Sequence, residues 1–445
     1  MHNRMKRLAV LLLSAAMMPC PVAMRAQTAR LKGSLNRLFS IAEAHNASLR
    51  TVRAAITEAE AGVEAAQKAK LPDVNAQLSV SYLGNARLWN RHFGESTCAP
   101  MPHYGNNFLL QAQHVVYAGG AVSAGIQLAR QNAAMQNINA ADERHRVQFL
   151  FTGLFLQLHN LQNQAEVYAA NKALAEKQME LMRQRYAKGV SLHSDVTRYE
   201  LYLQQMELGM TSVTDQADIV RRQLLTALGT DSAAIGTLPE DAFADDAIAV
   251  GSEADWQLTA AGQHPGVQRL ALGVQMSRTE EKLERAALLP KVAIIAEDHL
   301  DGPITIEVPP IDKNLNYWFV GVGVTYNFSA LYKNRSKVRR ARLHTAWQNE
   351  SLSATRENVA DAVHAAFVSL GTARTQLDTR RKSLQLATEN YELVSRRYQN
   401  GLAIVTDLTD AANMKLDAEL QLSDARISLV YAFYNLKYAA GCAEL

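Results

Sequence analysis

The sequence predicts a mainly α-helical, exported chain whose few strands belong to a membrane β-barrel shared between copies. Three observations carry this expectation: two very long apolar seams with a four-and-three repeat, short alternating runs just ahead of each, and an internal duplication that sets both in the same order. The composition agrees. With 445 residues, 48% apolar and 20% charged, but only 11 prolines and 23 glycines, the chain is neither disordered nor collagenous.

Export is read from the first 26 residues. Arg4, Lys6 and Arg7 precede the apolar run from Leu8 to Met18, and Ala26 offers a cleavage position before Gln27, which is the layout of a secretory signal peptide over 1–26. Its removal turns the net charge of +3 into −1, with 42 basic against 43 acidic residues, and takes away the electrostatic support for a nucleic-acid partner. Cys20 is expected to leave with the signal, because Pro19 stands where a lipoprotein signal needs a small residue. Cys98 and Cys442 remain. They form no CxxC pair, the 12 histidines show no metal-ligand spacing, and no nucleophile-base pair or phosphate loop can be named, so neither metal, organic cofactor nor catalysis is expected. Past the signal there is no apolar run of about 18 residues, which leaves strands as the route through a bilayer.

The long helices come next. Val359, Val363, Ala366, Leu370, Ala373, Leu377, Arg380, Leu384, Ala387, Tyr391, Val394 and Tyr398 alternate by four and three, and the residues 212 positions earlier, Val147 to Tyr186, do the same with Lys172 as the one charge. Lys172 and Arg380 are expected to snorkel out of their seams. The 68 residues from Gly120 to Ala187 lack proline and would span about 100 Å as helix.

The duplication aligns Leu181–Gly229 with Leu393–Gly441 without a gap, with 11 identities in 49 positions that include Arg185/Arg397, Tyr186/Tyr398, Gly189/Gly401, Asp195/Asp407 and Gly229/Gly441. Leu71-Pro72 pairs with Leu289-Pro290 at an offset of 218, so the first copy carries a longer insertion, placed at the Cys98 loop. The expected organisation is a first repeat over 27–229, a linker over 230–254 with its acidic stretch Asp241 to Asp246, and a second repeat over 255–445. The first repeat holds strands over 74–82 and 108–117, a long helix over 120–187 and a return helix over 195–228. The second holds strands over 291–298 and 317–328, a long helix over 333–399 and a return helix over 407–440.

Val74, Ala76, Leu78, Val80 and Tyr82 alternate with polar residues, and Trp318, Val320, Val322, Val324, Tyr326 and Phe328 alternate in the same way. Trp318 and Tyr326 are therefore expected to face lipid. Four strands cannot close a barrel, since the smallest have about eight, so several copies must share one, and three would supply twelve.

These residues resemble the outer membrane efflux protein family, the TolC-like outer membrane factors, over essentially the whole mature chain. The resemblance is carried by the doubled Leu-Pro leads, by Tyr117-Ala118-Gly119-Gly120 opening the first long helix, and by the tip motifs Tyr186 to Gly189 to Asp195 and Tyr398 to Gly401 to Asp407. It implies a homotrimer with a 12-stranded barrel in the outer membrane of a Gram-negative cell. An α-helical periplasmic tunnel would dock on an adaptor protein and an inner-membrane transporter, with no cofactor. The implied activity is passive conduction of expelled substrates, with one-step protein secretion as a variant; a coiled-coil scaffold without a pore is the alternative that heptads alone would allow.

The same resemblance places a gate at the helix tips, with Asp407 and Asp410 lining the narrow entrance beside Asp195, Tyr186, Tyr398 and Arg397. Read from the residues alone, Gly189 and Gly401 are helix-ending glycines, Asp195 and Asp407 fit helix-start carboxylates, and Tyr186 and Tyr398 fit packing positions. Asp410 lies deeper in its helix, where capping explains it less well. Two departures stand out: Ala330-Leu331-Tyr332-Lys333 replaces the Gly-Gly turn, and Ala403 stands where the family carries a tethering arginine, leaving Arg397, Lys188 or His193 as substitutes.

Overall fold

A computed structural model describes residues 28–230, 251–306 and 310–442, with side chains from residue 35. The signal segment, Cys20 and most of the 230–254 linker, including Asp241 to Asp246, lie outside the described residues. The described chain is mostly helical: α1 (Thr28–His45), α2 (Ala47–Lys68), β1 (Asp73–Tyr82), β2 (Ala86–Trp89), β3 (Ser96–Ala99), β4 (Tyr104–Tyr117), α3 (Ala121–Ala187), α4 (His193–Leu228), α5 (Glu253–Gln263), α6 (Pro265–Ala286), β5 (Lys291–Gly302), β6 (Leu315–Thr325), α7 (Ala330–Gln399) and α8 (Val405–Ala439). Two compact units divide it, one formed by Met1–Ala54, Asn137–Arg269 and Leu352–Leu445, the other by Ala55–Gln136 and Leu270–Ser351.

The second unit holds a four-stranded antiparallel sheet in the order β1-β4-β5-β6. Opposed residues share a face, so the register sorts the side chains. Val74, Ala76 and Leu78 stand opposite Ala112, Leu110 and Phe108; these and His114 stand opposite Ala296, Asp298, Leu300 and Ile294; and Ile294, Ala296 and Asp298 stand opposite Val322, Val320 and Trp318. Val80 meets Asn106 and Leu300 meets Asn316. This face is mostly apolar, with Asp298 as its one carboxylate, and open: Leu78 is 70% exposed, Val80 75%, Val322 70% and Trp318 73%. The opposite face carries Asn75, Gln77, Ser79, Gln111, Asn107, Glu297, His299 and Asp301.

Three strand boundaries differ from expectation. β4 begins at Tyr104 and β5 runs on to Gly302, past the charged residues that were expected to end it. Those charges stay in the ladder because neighbouring strands supply amide donors: Gln111 Nε2 donates to Glu297 at 2.7 Å, Asn316 Nδ2 to Asp298 at 2.9 Å, and Asn107 to Asp301. His299 stacks on Tyr317 with ring centroids 4.6 Å apart and sits 2.9 Å from Glu297. β6 ends at Thr325, so Tyr326 lies beyond the alternation; it meets Phe328 edge-on at 5.0 Å and is half-buried, unlike Trp318. The Cys98 loop is also more ordered than a plain insertion, because β2 and β3 pair as a hairpin with Cys98 opposite Arg87. Cys98 is exposed and Cys442 buried, and neither forms a disulfide among the described residues.

The strand-to-helix turns are built differently. Gly119 and Gly120 have φ of 61° and 87°, and a Cβ on Gly119 would fall 2.8 Å from the Ala286 carbonyl and 2.9 Å from Leu289 Cβ, so only glycine fits there. Ahead of α7, the Asn327 carboxamide oxygen accepts from Ser329 N at 3.1 Å and Ser329 Oγ at 2.7 Å, forming a side-chain turn that needs no glycine.

The first unit buries the helical seams. Phe151, Phe155, Leu158, Leu224 and Leu228 pack with Leu35, Leu38 and Tyr434, while Val363, Leu370, Leu377 and Leu436 pack with Trp256. Lys172 leaves its seam for Glu207 at 2.7 Å and Arg380 for Gln421 at 2.7 Å. Four helix ends close by one motif. At Gly189, Gly229, Gly401 and Gly441, all with φ between 68° and 75°, the glycine N–H bonds the carbonyl three residues back and the next N–H bonds the carbonyl five residues back. Gly229 packs against the α1–α2 junction, where a Cβ would come within 2.4 Å of the His45 carbonyl, and Gly441 against His264 at the α5–α6 junction. His145 and His264 are both held below the usual histidine range by burial, against the opposing pull of Asp142.

Gly401 and Gly229 share a left-handed backbone but not their surroundings, since nothing lies within 4 Å of a Cβ on Gly401. Gly401→Ala should therefore cost only the left-handed penalty of about 1–2 kcal/mol, whereas Gly229→Ala should cost clearly more. Thermal unfolding followed by circular dichroism checks the order, and equal losses would contradict the close approach to His45.

Candidate functional site

The candidate site lies at the tips of two helical hairpins, α3–α4 and α7–α8, within the first unit. Its floor is a core of Met179, Met182, Val196, Tyr199, Tyr202, Tyr398, Val405 and Leu408. Burial pushes the Tyr199 and Tyr202 phenols well above the usual tyrosine range, so they act as neutral packing groups.

Asp195 and Asp407 occupy matching places. Asp195 Oδ2 accepts from Leu192 N at 3.2 Å and Asp407 Oδ2 from Ile404 N at 3.2 Å, so each carboxylate folds back on the first turn of its return helix. A negative group there also meets the positive end of the helix dipole. Asp407 and Asp410 are both exposed, one turn apart, while Leu408, Thr409, Ala411 and Ala412 between and beyond them are buried.

The two tyrosines part company. Tyr186 is 46% exposed, with its ring 5.5 Å from that of His193. Tyr398 is 6% exposed and lies beneath the Arg185 guanidinium, 5.4 Å from the ring centroid. Burial raises the Tyr398 phenol, opposed by the nearby Arg185 charge. Arg185 also donates Nη1 to the Tyr398 carbonyl and Nη2 to the Gln399 carbonyl, both at 3.2 Å. The Tyr398 carbonyl already accepts from the Gly401 N–H, so Arg185 takes its second lone pair and adds a donor for the Gln399 carbonyl at the helix end, which a guanidinium fork suits. Arg198 Nη1 donates to Thr406 Oγ1 at 2.7 Å, which ties the two return helices together beside Asp407.

The expected site residues therefore divide. Asp407, Asp410, Asp195, Tyr398 and the turn glycines lie around this cross-hairpin junction, whereas Arg397 is exposed and Tyr186 turns to its own hairpin. Sequence reasoning missed Arg185 and Arg198. Arg185 had a signal, as the aligned partner of Arg397, but alignment treats both arginines alike and only packing shows which reaches across. Arg198 aligns with Asp410, an opposite charge, and gave none.

A four-stranded sheet with a mostly apolar open face, in one chain with two glycine-ended helical hairpins, is the architecture of an outer membrane efflux protein. The chain belongs to the outer membrane efflux protein family, whose pattern it matches over residues 38–230 and 258–442. It is 20% identical to the outer membrane protein TolC of Salmonella enteritidis over 330 residues, spanning 71% of this chain and 65% of that one. Solved channels share the fold: OprN with a TM-score of 0.77 at 16% identity, covering 92% of this chain and 90% of that one. CusC gives 0.78 at 14% identity, covering 92% of each chain. MtrE of Neisseria gonorrhoeae, solved in an open state, gives 0.73 at 16% identity, covering 92% and 88%. These relatives are channels rather than enzymes, and the family places the chain in the Gram-negative outer membrane.

Replacing Arg185 by Ala should free the 398–404 turn at a cost of about 1–2 kcal/mol, typical of hydrogen bonds from a charged donor that is partly solvated. Hydrogen exchange across this turn should speed up about tenfold per 1.4 kcal/mol. Arg397→Ala should leave exchange there within twofold; the reverse order would assign the link to the wrong arginine.

Proposed function

We propose that this chain is the outer-membrane exit duct of a tripartite efflux pump, a homotrimer that passively conducts substrates expelled by an inner-membrane transporter. The observation that carries the reading is the sheet. It has one mostly apolar, open face, on which Asp298 is the one carboxylate, and one mostly polar face, and β1 and β6 each pair on one side only among the described residues. An unpaired strand edge in hydrocarbon costs several kcal/mol per backbone group, so the edges must meet edges of other copies. Three copies give twelve strands, with Asn75, Gln77, Gln111 and Glu297 facing a wet lumen and Leu78, Val80, Trp318 and Val320 facing lipid. The chain as two repeats, 27–229 and 255–445 around the linker, is supported by the matching closures at Gly189 and Gly401 and at Gly229 and Gly441. In this reading α3 and α7 with their return helices form the periplasmic tunnel, and its far end meets an adaptor protein.

The gate we infer is the tip junction. Around a threefold axis Asp407 and Asp410 would repeat into two carboxylate rings, which repel one another and gather counterions in a narrow throat. Ala403 supplies no tether there; the Arg185 link to the Tyr398 and Gln399 carbonyls is the best-supported replacement within one chain.

In planar bilayers the purified mature protein should give discrete conductance steps that a multivalent cation blocks from the periplasmic side, more weakly as salt screens the field. The Asp407→Ala, Asp410→Ala double variant should conduct but lose the block. Absence of conductance from a folded trimer would refute the duct; an undiminished block would move the gate elsewhere.

A further inference from the structure

We propose that the opening of α7 is a binding surface for anionic phospholipid headgroups of the periplasmic leaflet of the outer membrane. This rests on the proposed seating of the sheet in the bilayer. From Tyr326 to Asn349 the sequence holds six Lys or Arg and no Asp or Glu, whereas the first 21 residues of α3, Ala121 to Ala141, hold one basic residue, Arg130. Lys333, Arg335, Lys337, Arg339 and Arg340 are all exposed, and among the described residues none joins an ion pair; Arg342 alone does, 3.7 Å from Glu281.

Like charges three and four residues apart destabilise a helix, so such a run calls for an anionic counterpart from outside the chain. Its place in the fold points to lipid. The helix starts directly after β6, and exposed aromatics precede the charges, Phe328 at 74% and Tyr332 at 69%, as at a bilayer interface. At about 1.5 Å per residue, Lys333 to Arg340 lie about 5–15 Å along the helix from Ala330. A headgroup layer of about 5–8 Å plus a Debye length of about 8 Å covers that span. Long Lys and Arg stems can carry their charges back toward phosphates, with arginine forking two oxygens. Clusters of this kind beside a membrane segment attract anionic lipid.

The test uses the full mature protein in phosphatidylcholine vesicles carrying trace spin-labelled phosphatidylglycerol or spin-labelled phosphatidylcholine, with the motionally restricted fraction read by electron spin resonance. Phosphatidylglycerol should be preferred several-fold, and the preference should fall in 1 M salt. It should vanish in the variant with Lys333, Arg335, Lys337, Arg339 and Arg340 each changed to Gln, and persist in Arg374→Gln, Lys382→Gln. Conductance shows that the variants are assembled. No preference in the parent, or a preference retained by the five-site variant, overturns the inference. Loss of the preference on adding millimolar inorganic phosphate also overturns it, by assigning a small-anion site instead. Lipid preference without any conductance supports this surface while counting against the duct.

Discussion

A backbone amide in hydrocarbon has no water to bond, and that constraint governs what this chain can be. Within the sheet it is met: β4 and β5 are paired on both sides, and the junction between them joins residues 175 to 196 apart in sequence. It is not met at the outer edges of β1 and β6 among the described residues of one chain. A soluble protein would blunt such edges with charges or bulges, yet β1 runs ten residues with Val74, Ala76, Leu78 and Val80 exposed. The proposed closed barrel in lipid, with strands from further copies, would cover the open edges and the open apolar face together.

The helical part obeys a different constraint, the disposal of carbonyls at helix ends. Four glycines in the left-handed region turn the chain and return two N–H groups to the last turn of each helix. At Gly229 and Gly441 the missing Cβ also lets the closure sit against a helix junction, so turn geometry and packing select the same residue. At Gly189 and Gly401 only the backbone conformation demands glycine. Repetition of the motif thus has two causes, which substitution by alanine separates.

Much of this was legible because it depends on periodicity. The four-and-three seam locates Val363, Leu370 and Leu377, all at 3% exposure or less, and alternation locates the open face of β1. What escaped depends on contacts between segments far apart in sequence. Polar and charged residues from Glu297 to Asp301 resemble a strand end until cross-strand carboxamides from β4 and β6 are supplied. The aromatic alternation past Thr325 resembles more strand, yet the Asn327 turn has already begun there. Tyr186 and Tyr398 are identical by alignment and opposite in burial, because Arg185 covers one and nothing equivalent covers the other.

The same asymmetry bears on the aspartates. Asp195 and Asp407 each cap a helix, which by itself would explain both carboxylates. Capping does not consume the carboxylate, however: accepting one N–H uses a single lone pair of one oxygen. The cap instead fixes where the charge sits. In the proposed trimer a carboxylate on a mobile loop would relax away from its symmetry mates, whereas one tied at 3.2 Å to the Ile404 amide would be held in position. Asp410, one turn on and exposed, inherits that placement through the helix and has Leu408 and Ala411 buried beside it to prevent rotation. The helix-start role and the proposed electrostatic role at this tip therefore do not compete; the first would supply the rigidity that the second needs.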